Sequence, residues 1–218
     1  MSSPTVLIVG ASRGIGLGFI SKFLAEGWNV HATARKESDL AAFPAGTTGH
    51  ILDVQDRGQI ERLAAAFADQ PIDLLVHNAG VGKDASEELL MRVNVEAPFV
   101  IVDALFPAVS KSQQKKIAIL SSQLGSRQRF GGGDVPKNKY GASKCYLNDR
   151  FRVEEPKWRQ SGVAGVSVHP GWVQTDMGGA AADITVPESV DGMYKVFQDL
   201  NTDNSGRFLT YAGIEHPW

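Results

Sequence analysis

Only one cysteine, Cys145, occurs in the 218 residues. An intrachain disulfide is therefore impossible, the fold must rest on a packed core, and a reducing compartment fits. No apolar run approaches the roughly 18 residues a membrane span requires. Charge of one sign is also missing: 22 Lys and Arg against 24 Asp and Glu leave a formal net charge of -2. Neither nucleic acid nor an anionic membrane is then expected as a partner. Met1 to Pro4 form no basic segment leading into a long apolar stretch, so no secretory leader is expected and the protein is assigned to the cytoplasm. The five histidines (His31, His50, His77, His169, His216) show no ligand spacing, and no metal is expected. Internal repeats and low-complexity tracts are absent too. The length suits one domain spanning residues 1–218, long enough to bury a substantial core.

What is present is an alternation of short apolar runs with helix-like stretches. Thr5–Val9 (TVLIV), Val30–Ala34, His50–Leu52, Ile72–His77, Lys116–Ser121, Val163–His169 and Arg207–Thr210 read as strands. Between them, Gly14–Glu26, Gln59–Ala68, Glu87–Val109, Tyr140–Glu155 and Pro187–Leu200 read as helices. Pro98 is the expected bend of the third helix, and Pro156 the expected stop of the fourth. Several strands are apolar throughout rather than alternating, which implies burial on both faces. The expectation is an α/β protein: a doubly wound, Rossmann-type parallel sheet of about seven strands with helices on both faces. Ligands bind such sheets at the carboxyl ends of the strands, so the residues just after each strand matter most.

After the first strand comes Gly10-Ala11-Ser12-Arg13-Gly14-Ile15-Gly16, opening the first helix. Glycines let the backbone turn tightly and approach a pyrophosphate, and a helix N-terminus offers free amides and partial positive charge. The spacing is G-x-x-x-G-x-G, not the commoner G-x-G-x-x-G. A turn without ligand is the bland alternative. The second strand ends in Arg35 where an NAD site would carry a carboxylate, and arginine suits a 2′-phosphate. Arg13 is a second candidate for that phosphate; the alternative for both is a solvated surface arginine. Asp53-Val54 is read either as an adenine contact or as a helix cap. Asn78-Ala79-Gly80 is read either as a structural turn or as a close approach to the cofactor.

Tyr140 and Lys144, one helical turn apart, project from one helix face. Free tyrosine is a poor acid at neutral pH, and a nearby ammonium favours its phenolate. The pair can therefore serve as a general acid and base for a carbonyl oxygen. Ser121-Ser122 ends the fifth strand and Asn94 lies in the long helix.

Taken in order, the glycine loop, Asn78-Ala79-Gly80, Asn94, Ser121-Ser122, Tyr140-Gly-Ala-Ser-Lys144 and Pro170-Gly171 resemble the short-chain dehydrogenase/reductase family from Thr5 to about Tyr211. The resemblance implies Tyr140 as proton donor and acceptor, and Lys144 lowering its pKa and holding the nicotinamide ribose. It implies Ser122 orienting the substrate carbonyl, and Asn94 holding a water that links Lys144 to solvent. Within Pro170-Gly171-Trp172-Val173-Gln174-Thr175, Val173 and Thr175 would grip the nicotinamide carboxamide. Arg13 and Arg35 would mark a preference for NADP(H). The implied activity is NADPH-dependent reduction of a carbonyl compound, or its reverse. The alternative is a non-catalytic NADP-binding signalling protein on the same fold. The long helices imply a homodimer or homotetramer.

Two departures stand out. Val9 replaces the threonine the family usually has before its first glycine. The stretch between Ser122 and Tyr140 is long and carries Gly131-Gly132-Gly133, which, with the closing pattern from Gly206-Arg207-Phe208 to Pro217-Trp218, resembles the small carbonyl reductases and C-factor proteins. Residues 123–136 and 176–185 are expected to form the substrate pocket. It should be open, because the second loop is short and small-residued. Phe130, Trp172 and Met177 are its candidate apolar contacts, or else ordinary packing residues.

Overall fold

The computed structural model of the chain describes residues 3–218. Its elements run β1 (Thr5–Val9), α1 (Gly14–Ala25), β2 (Asn29–Ala34), α2 (Glu37–Leu40), β3 (Thr47–Ile51), α3 (Arg57–Ala66) and β4 (Leu74–His77). There follow α4 (Glu87–Leu90), a π-type stretch Met91–Glu96, α5 (Ala97–Ser110), β5 (Lys116–Leu120), α6 (Lys139–Gln160), β6 (Ala164–His169), α7 (Val186–Asp199) and β7 (Arg207–Thr210). The seven strands form one sheet in the order β3-β2-β1-β4-β5-β6-β7. Every pairing is parallel. The order reverses beside β1, which pairs with β2 through Val6–Val30 and with β4 through Val6–Leu74. That reversal leaves a crevice at the carboxyl ends of β1 and β4.

Strand alternation sorts the core into two layers. Val6 and Ile8 point to the face covered by Phe19, Ile20 and Phe23 of α1 and Met193 and Phe197 of α7. Leu7 and Val9 point to the opposite face, with Leu63, Phe99, Leu105, Leu147 and Phe151 from α3, α5 and α6. β1, β4, β5 and β6 are buried along their whole length, as expected for strands covered on both sides. The edge strand β3 is mostly exposed and correspondingly less apolar. No helix among the described residues is long and apolar enough to cross a membrane.

Both proline expectations change in detail. α6 does not stop at Pro156 but runs on to Gln160. Proline removes a helix bond and costs about 3 kcal/mol in an interior position. Burying Trp158 offsets a cost of that size, at about 2–3 kcal/mol. Its ring is 4% exposed and lies 5.8 Å from Phe151 and 6.2 Å from Phe99, centroid to centroid. The disturbance assigned to Pro98 appears just before it, in Met91–Glu96. Pro98 has no amide proton, so the carbonyl of Asn94 lacks its usual donor one turn on, and the helix widens there.

Candidate active site

The crevice at the strand ends is a cleft of about 790 Å³. Its floor begins with the glycine loop. Gly10 has φ +84°, and a Cβ there would sit 2.7 Å from Ala79. At Gly16 a Cβ would lie 2.3 Å from the Gly10 carbonyl oxygen, so the loop folds back on its own helix too closely for any side chain. The Gly10 amide donates to Thr33 Oγ1 at 3.0 Å, and the Ala11 amide to the Thr33 carbonyl at 2.8 Å. Thr33 thus anchors a loop whose preceding residue, Val9, has no hydroxyl.

The end of α1 that faces the cleft is electrostatically unfinished. Asp56, Ser86, Asn138 and Thr185 each cap their own helix, α3, α4, α6 and α7, by accepting a backbone amide. Arg13, before α1, makes no such bond, and the first turn of α1 holds no carboxylate. Its free amides and dipole are left for an anion.

Asn78, Ala79 and Gly80 form a structural turn and also face the cleft. Their backbone ties to β1, with the amides of Asn78 and Ala79 on the Val9 carbonyl at 3.0 and 2.8 Å. The Asn78 amide group donates to the Gly10 carbonyl, and all three residues line the cleft. Asp53 lines it too, alongside Val54, whereas Asp56 is the residue that caps α3. Arg35 stands exposed on the cleft wall and makes no ion pair among the described residues. Arg13 is engaged: its Nη1 lies 2.9 Å from Asp176 Oδ2, joining the glycine loop to the segment after β6. Sequence reasoning missed that partner, because nothing local links two residues so far apart in the chain.

The chemistry-bearing side chains meet at the inner end. Tyr140 and Lys144 both line the cleft from the start of α6. Asn138 starts that helix by accepting the Gly141 amide at 2.6 Å. Lys144 is 6% exposed, and its Nζ donates to the Leu120 carbonyl at 2.9 Å. Burial lowers its pKa from 10.5 to about 8. For Tyr140 burial wins over everything else, pushing the phenol up to about 12, while a hydrogen bond with Ser122 pulls it down. The expected lowering by the neighbouring ammonium is therefore not the net effect. Tyr140 is a protonated phenol at neutral pH.

Asn94, 1% exposed, spends its side chain on the backbone. Its Oδ1 accepts the Val81 amide at 2.9 Å, and its Nδ2 donates to the Val81 carbonyl at 3.0 Å and to Ser143 Oγ at 3.1 Å. It pins the segment after Gly80 to α6. A Cβ on Gly80 would stand 3.2 Å from Asn94 Oδ1 and 3.8 Å from Lys144 Nζ, so Gly80 keeps that corner open.

The substrate side differs most from expectation. No residue of 123–136 lines the cleft; Val81, Gly82, Ala85, Leu89 and Val93 form the apolar wall instead. Lys139 Nζ holds this wall by donating to the Ala85 carbonyl at 2.7 Å. Of the three apolar candidates, Met177 lines the cleft and Phe130 and Trp172 do not. The Trp172 indole instead donates to the Gly178 carbonyl at 2.8 Å. Pro170, Gln174 and Thr175 line the cleft, while Val173, 4% exposed, and Gly171 support them from behind. Thr175 abuts the glycine loop: a Cβ on Gly14 would come 3.2 Å from its methyl group.

A family model described as short chain dehydrogenase matches residues 4–184. The C-signal protein of Myxococcus xanthus is 35% identical over 157 residues, spanning 68% of this chain and 93% of its own. The NADPH-bound carbonyl reductase from chicken fatty liver superposes with a TM-score of 0.87 at 31% identity, covering 100% of both chains. A carbonyl reductase from Pseudomonas aeruginosa in complex with NADP superposes with a TM-score of 0.80 at 32% identity, again over 100% of both chains.

Proposed function

The chain belongs to the short-chain dehydrogenase family, and from that premise we propose that it is an NADP(H)-dependent oxidoreductase acting on a carbonyl or alcohol substrate. The observation that carries this is the pair Tyr140 and Lys144 lining one cleft with the glycine loop and the uncapped N-terminus of α1.

The residues fit such a cofactor. Gly10, Ser12, Gly14, Ile15 and Gly16 would hold the pyrophosphate, where a Cβ at Gly16 would fill the loop and the α1 amides await an anion. Arg35 would take the 2′-phosphate, with Arg13 contributing if it leaves Asp176. Asp53 and Val54 would flank adenine, Asn78, Ala79 and Gly80 the ribose, and Pro170, Gly171, Val173 and Thr175 the nicotinamide amide. When bound, the cofactor supplies or accepts the hydride. Tyr140 donates its phenolic proton to the substrate oxygen in reduction and takes it back in oxidation. Ser122 orients that oxygen by hydrogen bonding. Lys144, anchored on the Leu120 carbonyl, places positive charge beside the reacting groups and holds the ribose. Asn94 fixes the Val81 segment, and its carbonyl, to which Pro98 has no amide proton to donate, would hold the water leading from Lys144 outward.

The reading takes in a small-molecule substrate, a cytoplasmic setting in which the buried Cys145 thiol stays reduced, and one domain over 1–218. It also takes in a homo-oligomer built on α5 and α6, where Tyr146 and Val153 are 40% and 61% exposed, two turns apart on α6. The similarity to C-signal supports a second reading, in which NADP binding serves signalling rather than turnover.

The deciding experiment follows NADPH and NADH oxidation over a panel of ketones, aldehydes and quinones, beside Tyr140→Phe. Turnover with NADPH that falls by about 10²–10⁴-fold in the variant, with NADPH affinity kept, is expected. NADPH binding without turnover of any carbonyl would favour the signalling reading, and failure to bind either cofactor would overturn both.

A further inference from the structure

The chain after β7 returns to the sheet. It reverses at Gly213, φ +77°, and runs back antiparallel along the outer edge of β7. The Thr210 amide donates to the Ile214 carbonyl and the His216 amide to the Phe208 carbonyl, both at 2.8 Å. Trp218 then lays its indole against Phe208 and Phe151, at centroid distances of 5.4 and 6.0 Å, with the Arg152 guanidinium 5.5 Å above the ring.

This segment grips the loop that follows Ser122. The Trp218 carbonyl accepts the Gln128 amide at 3.0 Å and the Ser126 hydroxyl at 3.2 Å. Ser126 is fully buried and also caps the turn beyond it, accepting the Arg129 amide at 3.1 Å. Arg129 Nη1 lies 3.2 Å from His216 Nε2. Arginine only donates, so Nε2 accepts, and the ring proton sits on Nδ1, 3.0 Å from the Pro217 carbonyl. On its other side the gripped loop lies against α6. A Cβ on Gly125 would be 2.6 Å from the carbonyl carbon of Lys144, and one on Gly141 would be 2.8 Å from the Leu124 carbonyl oxygen. Ser122 opens this turn, its hydroxyl accepting the Leu124 amide at 3.2 Å.

We propose that residues 214–218 form a strap that sets how the turn 122–131 sits on α6. Trp218 and His216 are then positioning residues for Ser122 and, through it, for the substrate carbonyl. The strap reaches no part of the cleft wall itself, so its effect belongs to substrate handling and not to cofactor affinity. The kinetic part of this proposal rests on the carbonyl-reductase reading; the structural part does not.

The test compares Trp218→Ala, Trp218→Phe and His216→Ala with the parent chain. The readouts are KM and kcat for a carbonyl substrate at saturating NADPH, the NADPH Kd, and amide hydrogen exchange across residues 124–130. Trp218→Ala should lower kcat/KM by about tenfold, chiefly through KM, and quicken exchange across 124–130. Its NADPH Kd should stay within about twofold. Trp218→Phe should recover most of the loss, since a ring still meets Phe151. A less stable Trp218→Ala with unchanged kinetics and exchange would overturn the proposal, as would equal losses of NADPH affinity and turnover. If Trp218→Ala does not fold, His216→Ala decides, because it removes the acceptor of Arg129 and the ring packed on Phe208 but leaves the Trp218 carbonyl on Gln128 and Ser126: faster exchange at 129–130 supports the strap, and unchanged exchange refutes it. A parent chain without carbonyl turnover would sink the reductase reading and leave the exchange result to judge the strap alone.

Discussion

Two clusters in the chain are rich in glycine for different reasons. In Gly10–Gly16 the backbone is crowded: a Cβ at position 16 would come 2.3 Å from the Gly10 carbonyl oxygen and 2.8 Å from Asn78 Nδ2. In Gly131–Gly133 there is room: a Cβ at Gly132 or Gly133 would meet nothing within 4 Å, and only the positive φ of 61° and 102° asks for glycine. The first cluster is a fitted cradle whose shape the backbone itself provides. The second is a bend, and the position of its loop is settled elsewhere, by Ser126, the Arg127–Asp149 ion pair and Trp218. The same composition thus encodes precision in a loop that lines the cleft and permissiveness in a loop that does not.

The sharpest way to break this contrast is Gly16→Ala. The clash is with backbone, which cannot swing aside, so we expect about 2–3 kcal/mol lost in stability. NADPH affinity should fall by roughly 100-fold, as preorganisation of the cradle is lost. Thermal melts and NADPH titration measure both, and a near-neutral outcome would mean the loop is not a rigid cradle.

A smaller effect is expected at Lys144, which lines the cleft with the glycine loop. Its pKa is lowered from 10.5 to about 8, so the ammonium is present at pH 7 and lost as pH rises through about 8. kcat/KM for reduction should then fall by about tenfold per pH unit above that point. Stability moves the other way. Between about 8 and 10.5 the unfolded chain binds the proton that the folded chain has released, so this group makes folding more favourable as pH rises through that window. A flat rate profile from pH 7 to 10 would remove Lys144 from the chemistry.

The smallest effect should come from Gly132→Asn. Asparagine tolerates the left-handed region, and there is space for its side chain. We expect a change within about 1 kcal/mol and near-parent kinetics. A large loss would show that this bend is as closely fitted as the cradle.

How much of this was legible beforehand follows the same division. The seven strands, their parallel arrangement and the cradle are local facts, written in apolar runs and in glycines beside strand ends. Tyr140 and Lys144 stand out as a pair one helical turn apart, whereas Ser122 and Asn94 are singled out by the family resemblance. What sequence could not supply is contact between distant segments. Leu89 and Val93 as the substrate-side wall, Asp176 as the partner of Arg13, and Trp218 beneath the loop at Ser126 depend on how elements pack, and no periodicity announces them. One local signal misled for the same reason, and another was ambiguous. Pro156 reads as a stop, yet Trp158 two residues later is buried well enough to carry the helix past it. Asp53 reads equally as cap or contact, and only the structure shows Asp56 taking the cap.

The return of residues 214–216 along β7 has a consequence for how molecules meet one another. A parallel sheet ordinarily ends in two open ladders of amides and carbonyls, and each can recruit a strand from another chain. Here one ladder is closed by the chain's own tail, which uses the amide of Thr210 and the carbonyl of Phe208. The other, at β3, stays open, with Thr48, Gly49 and Ile51 exposed along it. Edge-to-edge growth of the sheet into an aggregate can therefore proceed from one side only, and a lysine or proline placed on β3 would be enough to stop it.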